Sequence, residues 1–505
     1  MVILGYRFLL LAILISLVFQ TSCTGHVNGD ANSSSSPEDS VTSISRPSPV
    51  LIPAGGKEFH VTPGGSRSNS GKKDRPLDLA SVLSERSPAK PGDTIWLHDG
   101  TYTGSFTSEL NGNASKPILV RQFPGERARI DGTLTVKGSY AWYWGFEVFN
   151  SNPDRATERP DLVLVLGPFT KFINLIVHDG GDGIVGASAA VNAEFYGNII
   201  YNNGYQSAQD TRGHGHAMYL QNENDAKLIK DNIIFNSYGY GIHAYGQQGS
   251  LKGFDIVGNA SFNNGSLSRE QSHPDLLIGG FTGAERIKVS DNYFYGGIEL
   301  HYTNRRNRDL IFSQNHVAGA TEIYYWQSLD ISGNRFYSRI GPLMGFGYPP
   351  TFDASNYRWD NNSYYFWGDR VPFEVNPEGF LSFADWKKRT GFDLHSTFEN
   401  RRPKGLDVAV RANQYDNSRV SIIVYNWDKR DAVDVDISSV LAAGAKYEVR
   451  NVQDYCGAPV VVGTYPGGPI TLPMSGLKVG KPIGVDTPST RLTAPEFNVF
   501  LLIKQ

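Results

Sequence analysis

The chain is poor in cysteine, with only Cys23 and Cys456 among its 505 residues. Two cysteines so far apart exclude a disulfide framework, and they also exclude a zinc site built from cysteine thiolates. The chain also lacks an excess of charge of either sign, since 47 basic and 50 acidic residues give a net charge of −3. This near balance argues against general binding to nucleic acids or anionic membranes. After the N-terminal region, the sequence has no apolar segment long enough to cross a membrane.

The first 23 residues have the features of an export signal. A basic residue precedes an apolar run over residues 8–19, which has the length of a signal-peptide core but is short for a membrane span. The tripeptide TSC that ends at Cys23 resembles a bacterial lipoprotein box. We expect a signal peptide over 1–22, a lipid anchor on Cys23 in a Gram-negative envelope, and a flexible Ser- and Pro-rich tether over 23–56. The alternatives are a periplasmic or a secreted protein without the anchor.

Glycine and aromatic residues, in contrast, are abundant: 54 glycines and 12% aromatics predict short strands joined by many turns. One template recurs in the middle of the chain: apolar, any, apolar, two variable residues, Asn, any, apolar. The Asn of each copy stands at Asn174, Asn198, Asn232, Asn259, Asn292, Asn315, Asn334 and Asn361. Intervals of 19 to 34 residues predict a solenoid of strands, with aligned Asn side chains forming a ladder of amide hydrogen bonds from coil to coil.

The repeat resembles the right-handed parallel β-helix of the pectate-lyase-like superfamily over residues 57–371, so we expect an all-β fold. An amphipathic segment at 77–83 is similar to the helix that caps the first coil in that superfamily. Residues 372–505 contain short alternating strands and predict a C-terminal β-sandwich. The resemblance implies a glycan-active protein, but the superfamily includes polysaccharide lyases, glycoside hydrolases, epimerases and non-catalytic binding proteins.

The stretch GIHAY at 241–245 indicates which residues face the surface. Ile242 and Ala244 suit the interior, which places His243 and Tyr245 outside. The same phase in the neighbouring coils predicts two adjacent columns on one face. Column A contains Tyr219, His243, Leu277, Glu299 and Glu322, and column B contains Gln221, Tyr245, Gly279, His301 and Tyr324. Two long insertions lie beside this face, and such loops commonly form the walls of a groove.

This combination of side chains favours cleavage of an acidic polysaccharide by β-elimination in a groove across residues 217–326. His243 is the candidate base, and Tyr245 or Tyr219 is the candidate acid. A cation must neutralise the uronate carboxylate, and the candidates are Arg212, Arg305 and Arg306. His301 is a further catalytic candidate, and the remaining candidates for substrate binding are His214, His216, Gln221 and Tyr324.

Two other functions stay open at this point. Glu299 and Glu322, one coil apart, suit a glycoside hydrolase, and an aromatic strip without chemistry would suit a glycan-binding scaffold. The sequence contains no cofactor motif, and His214-x-His216 lacks a third metal ligand at a diagnostic spacing. The calcium-binding aspartates and the Lys or Arg base of pectate- and alginate-type lyases are not found at matching places, so the cofactor, calcium included, is left open. We expect a polysaccharide substrate, no nucleic-acid partner and a monomer.

Overall fold

A computed structural model of the chain describes residues 41–53, 55–270, 273–303, 306–485 and 491–505. The predicted signal peptide and Cys23 lie outside these residues, so export and lipid anchoring stay predictions. Within the described part of the chain, no helix is both long and apolar enough to cross a membrane.

Three stacks of strands wind around one interior, and neighbouring strands within a stack are parallel. The first stack is a twelve-stranded sheet of Glu58–Val61, Thr94–Leu97, Ile118–Gln122, Ala141–Trp144, Lys171–Ile173, Glu194–Tyr196, Lys227–Lys230, Leu251–Val257, Ala284–Ser290, Arg308–Ser313, Leu329–Ser332 and Tyr357–Asp360. The second stack contains Glu147–Phe149, Ile176–His178, Ile199–Tyr201, Ile233–Phe235, Ala260–Phe262, Tyr293–Tyr295, His316–Ala318, Arg335–Ser338, Ser363–Phe366 and Thr397–Glu399. The third stack contains Val163–Val165, Ile184–Gly186, Met218–Leu220, Ile242–Gly246, Leu276–Gly280, Ile298–Leu300, Thr321–Tyr324, Met344–Gly347 and Phe373–Asn376, with Gly379–Leu381 antiparallel to the last of them.

Two long strands, Gly100–Ser108 and Ala128–Val136, run through both the second and the third stack and join them into one sheet. Within the described ranges, the helices are Leu79–Leu83 and Phe383–Thr390, with single 3-10 turns at Ala354–Asn356 and Val452–Asp454. The predicted all-β fold with a parallel β-helix is therefore confirmed.

The predicted asparagine ladder exists, with two changes of position. Its members are Asn198, Asn232, Asn259, Asn292, Asn315, Asn334 and Asn362, and each side-chain amide donates to the amide oxygen of the next at 2.9–3.1 Å. The ladder position of the coil before Asn198 is held by Leu175, whose backbone N–H donates to Asn198. Asn174 and Asn361, which the sequence template placed in the ladder, each stand one residue too early.

The residue before each ladder position has a left-handed backbone, with φ near +60° at Gly197, Asp231, Gly258 and Asn361. Glycine, asparagine and aspartate tolerate this conformation better than other residues do. Asn174, with φ of 52°, also occupies this turn position. The turn therefore selects asparagine for a second reason, which explains why the template matched Asn174 and Asn361.

Inward side chains of the first stack fill the interior with stacked rings. Phe172 lies between Tyr143 and Phe195, with ring centroids 5.2 and 5.3 Å apart. The helix Leu79–Leu83 covers the open end of this interior with three buried apolar side chains, and Asp78 caps the helix by accepting a hydrogen bond from the Ser81 backbone. The predicted capping helix is thus present.

The C-terminal domain is a β-sandwich. Its large sheet contains Val41–Ser45, Leu406–Ala412, Arg419–Asn426, Phe497–Lys504, Lys446–Asn451 and Val461–Thr464, and its small sheet contains Ala432–Asp436 and Pro469–Pro473. Buried apolar side chains of both sheets form one core. The domain boundaries differ from the prediction, because Thr397–Glu399 continues the coils beyond residue 371 and Val41–Ser45, inside the predicted tether, is an edge strand of the large sheet.

The large sheet of the sandwich packs against the outer face of the second stack. Apolar residues such as Phe235 and Phe262 of the coils share one core with Ile423 and Val499 of the sandwich. Arg411 of the sandwich also lies 2.7 Å from Asp231 and 2.6 Å from Asp291, so two coils are tied to it by ion pairs. This interface covers the second stack and extends through Tyr415 to Trp144 and Tyr196 of the first, whereas the predicted site lies on the third.

Candidate active site

Strand pairing on the third stack confirms the predicted register of column A. In column A, Tyr219 pairs with His243, His243 with Leu277, Leu277 with Glu299 and Glu299 with Glu322. In column B, Tyr245 pairs with Gly279. A Cβ atom on Gly279 would lie 2.6 Å from the backbone carbon of His301, so only glycine lets the two coils approach this closely here.

His243 lies inside a cluster of rings. Its ring centroid is 4.3 Å from that of His216, 4.5 Å from Tyr240 and 4.9 Å from Tyr245. The residue is buried, and its Nδ1 atom has no hydrogen-bond partner. Burial, and then the positive charge of Arg212, lowers the pKa of His243 to about 3. Such an imidazole is neutral at physiological pH but is a weak base, so the structure does not support the predicted role in proton abstraction.

Replacing His243 with phenylalanine should make the free energy of unfolding less sensitive to acid. The pKa of His243 is about 3 in the folded protein against 6.5 when unperturbed, so between these values the unfolded state binds one more proton and stability falls as the pH falls. From pH 6.5 to pH 5, we expect the variant to gain about 2 kcal/mol relative to the parent protein. Denaturant titrations at several pH values measure this difference. Parallel stability curves would contradict the assignment.

His216 holds one wall of the site in place. Its backbone N–H donates to Oδ1 of Asp182 at 2.6 Å, and its Nδ1 accepts a hydrogen bond from the backbone of Tyr240 at 3.0 Å. His216 is buried, which lowers its pKa well below the ordinary value. Predicted as a substrate-binding residue, it instead positions the segment that carries Tyr240.

Two carboxyl groups and an imidazole meet on the same face, on the coils that follow that of His243 toward the C-terminus. Burial, and then the neighbouring Glu322 carboxylate, raises the pKa of Glu299 to about 7. Oε2 of Glu322 lies 2.8 Å from Nε2 of His301. The columns therefore place a carboxyl group that can hold a proton at neutral pH beside a carboxylate–imidazole pair.

A groove of about 490 Å³ opens over the two carboxyl groups, whereas His301 is not among the residues that line it. Its polar lining consists of Arg212, Tyr240, Glu270, His273, Glu299 and Glu322. The guanidinium of Arg212 is exposed and makes no ion pair with any described residue. It is thus a cation available to the carboxylate of a ligand.

Several predicted substrate-binding residues have partners outside the groove. His214 lies 3.0 Å from Asp210 within its own loop. The side-chain amide of Gln221 donates to the backbone of Tyr245, so it supports the strand that carries column B.

Tyr324, Arg305 and Arg306 are the other predicted substrate-binding residues. Tyr324 packs its ring 4.3 Å from that of His301 and is buried, so it supports the imidazole. Arg306 is exposed and does not line the groove. Arg305 lies outside the described residues. Among the described residues, no cluster of three or more histidine, cysteine, aspartate or glutamate side chains could hold a metal ion.

The groove also contains residues that sequence reasoning did not assign to the site. Tyr240, Glu270 and His273 lie in loops between the strands, where the alternation of inward and outward residues gives no information. Burial lowers the pKa of His273 to about 4, and its Nε2 has no hydrogen-bond partner. The signals in the sequence were the length of the insertion that contains Glu270 and His273 and the presence of Arg269 and His273 within it.

Comparisons with known proteins give partial similarities. No family model matches the chain. It is 28% identical over 184 residues to pectate lyase PEL9 of Emericella nidulans, covering 36% of this chain and 39% of that protein. It is 31% identical over 85 residues to the uncharacterized protein YwoF of Bacillus subtilis, covering 17% of this chain and 18% of that protein. The matched part thus spans less than half the length of either relative. Among solved structures, that of pectate lyase Pel9A matches with a TM-score of 0.38 and 16% identity, covering 64% of this chain and 78% of the other.

Proposed function

We propose that the protein is an exported polysaccharide lyase that cleaves a uronic-acid-containing glycan by β-elimination on the third stack. The observation that carries the proposal is that one groove is lined by the half-buried carboxyl group of Glu299, the carboxylate of Glu322, which His301 contacts at 2.8 Å, and an unpaired guanidinium. β-Elimination needs a proton donor, a base and a cation for the uronate carboxylate. The partial sequence similarity to a pectate lyase supports the same reaction class.

His301 is the base in this mechanism. When its Nε2–H donates to Glu322, Nδ1 can take the proton from C5 of the uronate. The electrons of the C5–H bond then form the C4–C5 double bond, and the bond from C4 to the glycosidic oxygen breaks. Glu299 gives its proton to that oxygen as it leaves, and Arg212 stabilises the negative charge that develops on the carboxylate.

The ring cluster around His243 has a binding role in this proposal. Tyr219 and Tyr245 lie with their ring centroids 5.3 and 4.9 Å from that of His243, on the coils next to the reacting groups. Aromatic surfaces of this kind provide contact area at a low cost in conformational entropy. We therefore propose that the cluster contacts the sugar units on one side of the cleaved bond.

Glycoside hydrolysis is the second candidate, and one observation favours it. Glu299 and Glu322 pair on adjacent coils, which puts their Cβ atoms about 5 Å apart. Retaining glycosidases hold their two carboxyl groups about 5 to 5.5 Å apart. Glu299 would then be the acid and Glu322 the nucleophile, and the substrate would need no uronate.

One assay separates the two reactions. The purified protein is incubated with a panel of uronate-containing and neutral polysaccharides, while new reducing ends and the ultraviolet absorbance of the unsaturated product are followed together. We expect both signals to rise in parallel. Reducing ends without the absorbance would replace the lyase by the hydrolase. The His301→Ala variant should lose the absorbance signal, whereas a hydrolase would keep most of its activity without this base.

A further inference from the structure

A second cavity adjoins the groove and has no assigned role. It measures about 620 Å³ and lies where the second stack turns into the third. His273, Gly297 and Ala320 line both spaces, so the cavity continues the groove in which Glu299 and Glu322 lie. A glycan bound for cleavage can therefore extend into the cavity without leaving the protein surface.

The cavity wall contains buried polar atoms without hydrogen-bond partners. Oδ2 of Asp275, Oγ of Ser266 and Nε2 of His273 are all buried, and none has a hydrogen-bond partner; Nε2 of His273 lies 3.7 Å from Oε2 of Glu270. Oδ1 of Asp275, in contrast, is held by the Asn264 amide at 2.8 Å. Because buried polar groups are almost always hydrogen-bonded in proteins, three such atoms around one cavity indicate a ligand with several hydroxyl groups.

The C-terminal domain supplies the opposite wall. Arg491, Leu492 and Thr493 line the cavity. The backbone of Arg491 accepts hydrogen bonds from Asn263 of the coils and from Gln453 of the sandwich, at 2.8 and 3.0 Å. This wall is thus fixed to both domains, and the cavity exists only where the two meet.

We infer that the cavity is a subsite for one neutral sugar unit, so that the substrate is a heteropolysaccharide in which the cleaved uronate adjoins a neutral sugar. Hydroxyl groups can donate to Asp275 and can both donate to and accept from Ser266 and His273. Asp275 and Arg491 are the acidic and basic residues of the described cavity lining, one of each sign, so the lining has no excess of positive charge to hold a second carboxylate. The inference rests on the proposed lyase function and specifies its substrate.

The test compares polymers of alternating uronate and neutral sugar, such as hyaluronan and the rhamnogalacturonan backbone, with the homopolymers polygalacturonate and alginate. We expect tighter binding and faster cleavage for at least one alternating polymer. Ala318→Leu, which fills the cavity, and Asp275→Asn, which replaces the unpartnered oxygen by a donor, should each weaken binding of its oligosaccharides roughly ten-fold. Arg358→Gln, a change of an exposed residue on the first stack, is the matched control.

The outcomes separate the subsite from the reaction. Binding is followed by saturation-transfer NMR on the neutral sugar protons, which needs no turnover. Binding through the cavity without any cleavage would uphold the subsite and overturn the lyase. If the parent protein and both cavity variants cleave homopolymers equally well, the lyase would be upheld and the subsite overturned.

Discussion

The Glu299→Gln variant should cleave its polysaccharide about a thousand-fold more slowly than the parent protein, which is within the range for loss of a general acid. The substitution keeps the shape of the side chain and removes the proton that the leaving oxygen needs. Because burial and Glu322 raise the pKa of Glu299 to about 7, the parent enzyme should lose activity as the pH rises through that value. Initial rates between pH 5 and 9 measure both effects.

Glu285→Gln is the matched control for this variant. Glu285 lies on the first stack, where it pairs with Arg308 at 2.7 Å, and exposed pairs of this kind contribute little to stability. The control should keep the parent rate and pH profile. A Glu299→Gln variant that folds normally and keeps its activity would exclude Glu299 as the acid in both the lyase and the hydrolase mechanism.

The Asn259→Ala variant should lose about 5 kcal/mol of unfolding free energy, because it removes four buried hydrogen bonds. The amide of Asn259 donates to the Ile229 carbonyl and to Asn292, both at 2.9 Å. Its oxygen accepts from the backbone and the side chain of Asn232, at 3.0 and 2.9 Å. The interior of the coils offers no water to replace these bonds, since all four residues are buried.

Asn361→Gly is the control for the ladder. Asn361 is exposed, has a φ of 61° and lies next to the ladder residue Asn362. Glycine tolerates that backbone conformation, so the change should cost at most about 1 kcal/mol. Chemical denaturation of both variants gives the comparison. Similar losses at the two positions would mean that the ladder amides contribute no more than an ordinary turn residue.

The coil architecture could be predicted from the sequence because strands and turns repeat. Alternation with a period of two determines which residues face outward. A slip of one residue would expose all the interior side chains of a strand, so the register of column A follows from the pattern. The one-residue errors at Asn174 and Asn361 arose because the turn before the ladder also favours asparagine. Val41–Ser45 was missed because a short strand in a Ser-rich segment gives a weak signal by itself.

The chemistry of the site was harder to predict because it depends on loops. The position of His243 follows from its strand, but its burial depends on Tyr240 and His216, which come from the turns above it. Burial changes an imidazole from a plausible base into a weak one, and no local pattern reports it. Glu299 could be proposed from its place in column A. Its raised pKa, however, depends on the residues that cover it, and the sequence does not show which these are.

The ladder affects how the sequence of such a protein can evolve. Successive ladder residues are separated by 34, 27, 33, 23, 19 and 28 residues, yet their amide bonds have nearly the same length. Insertions of very different size between coils therefore leave the interior bonding unaltered. Substrate preference can then change through loops such as those that carry Arg212 and His273, while the hydrogen-bonded scaffold beneath them keeps its geometry.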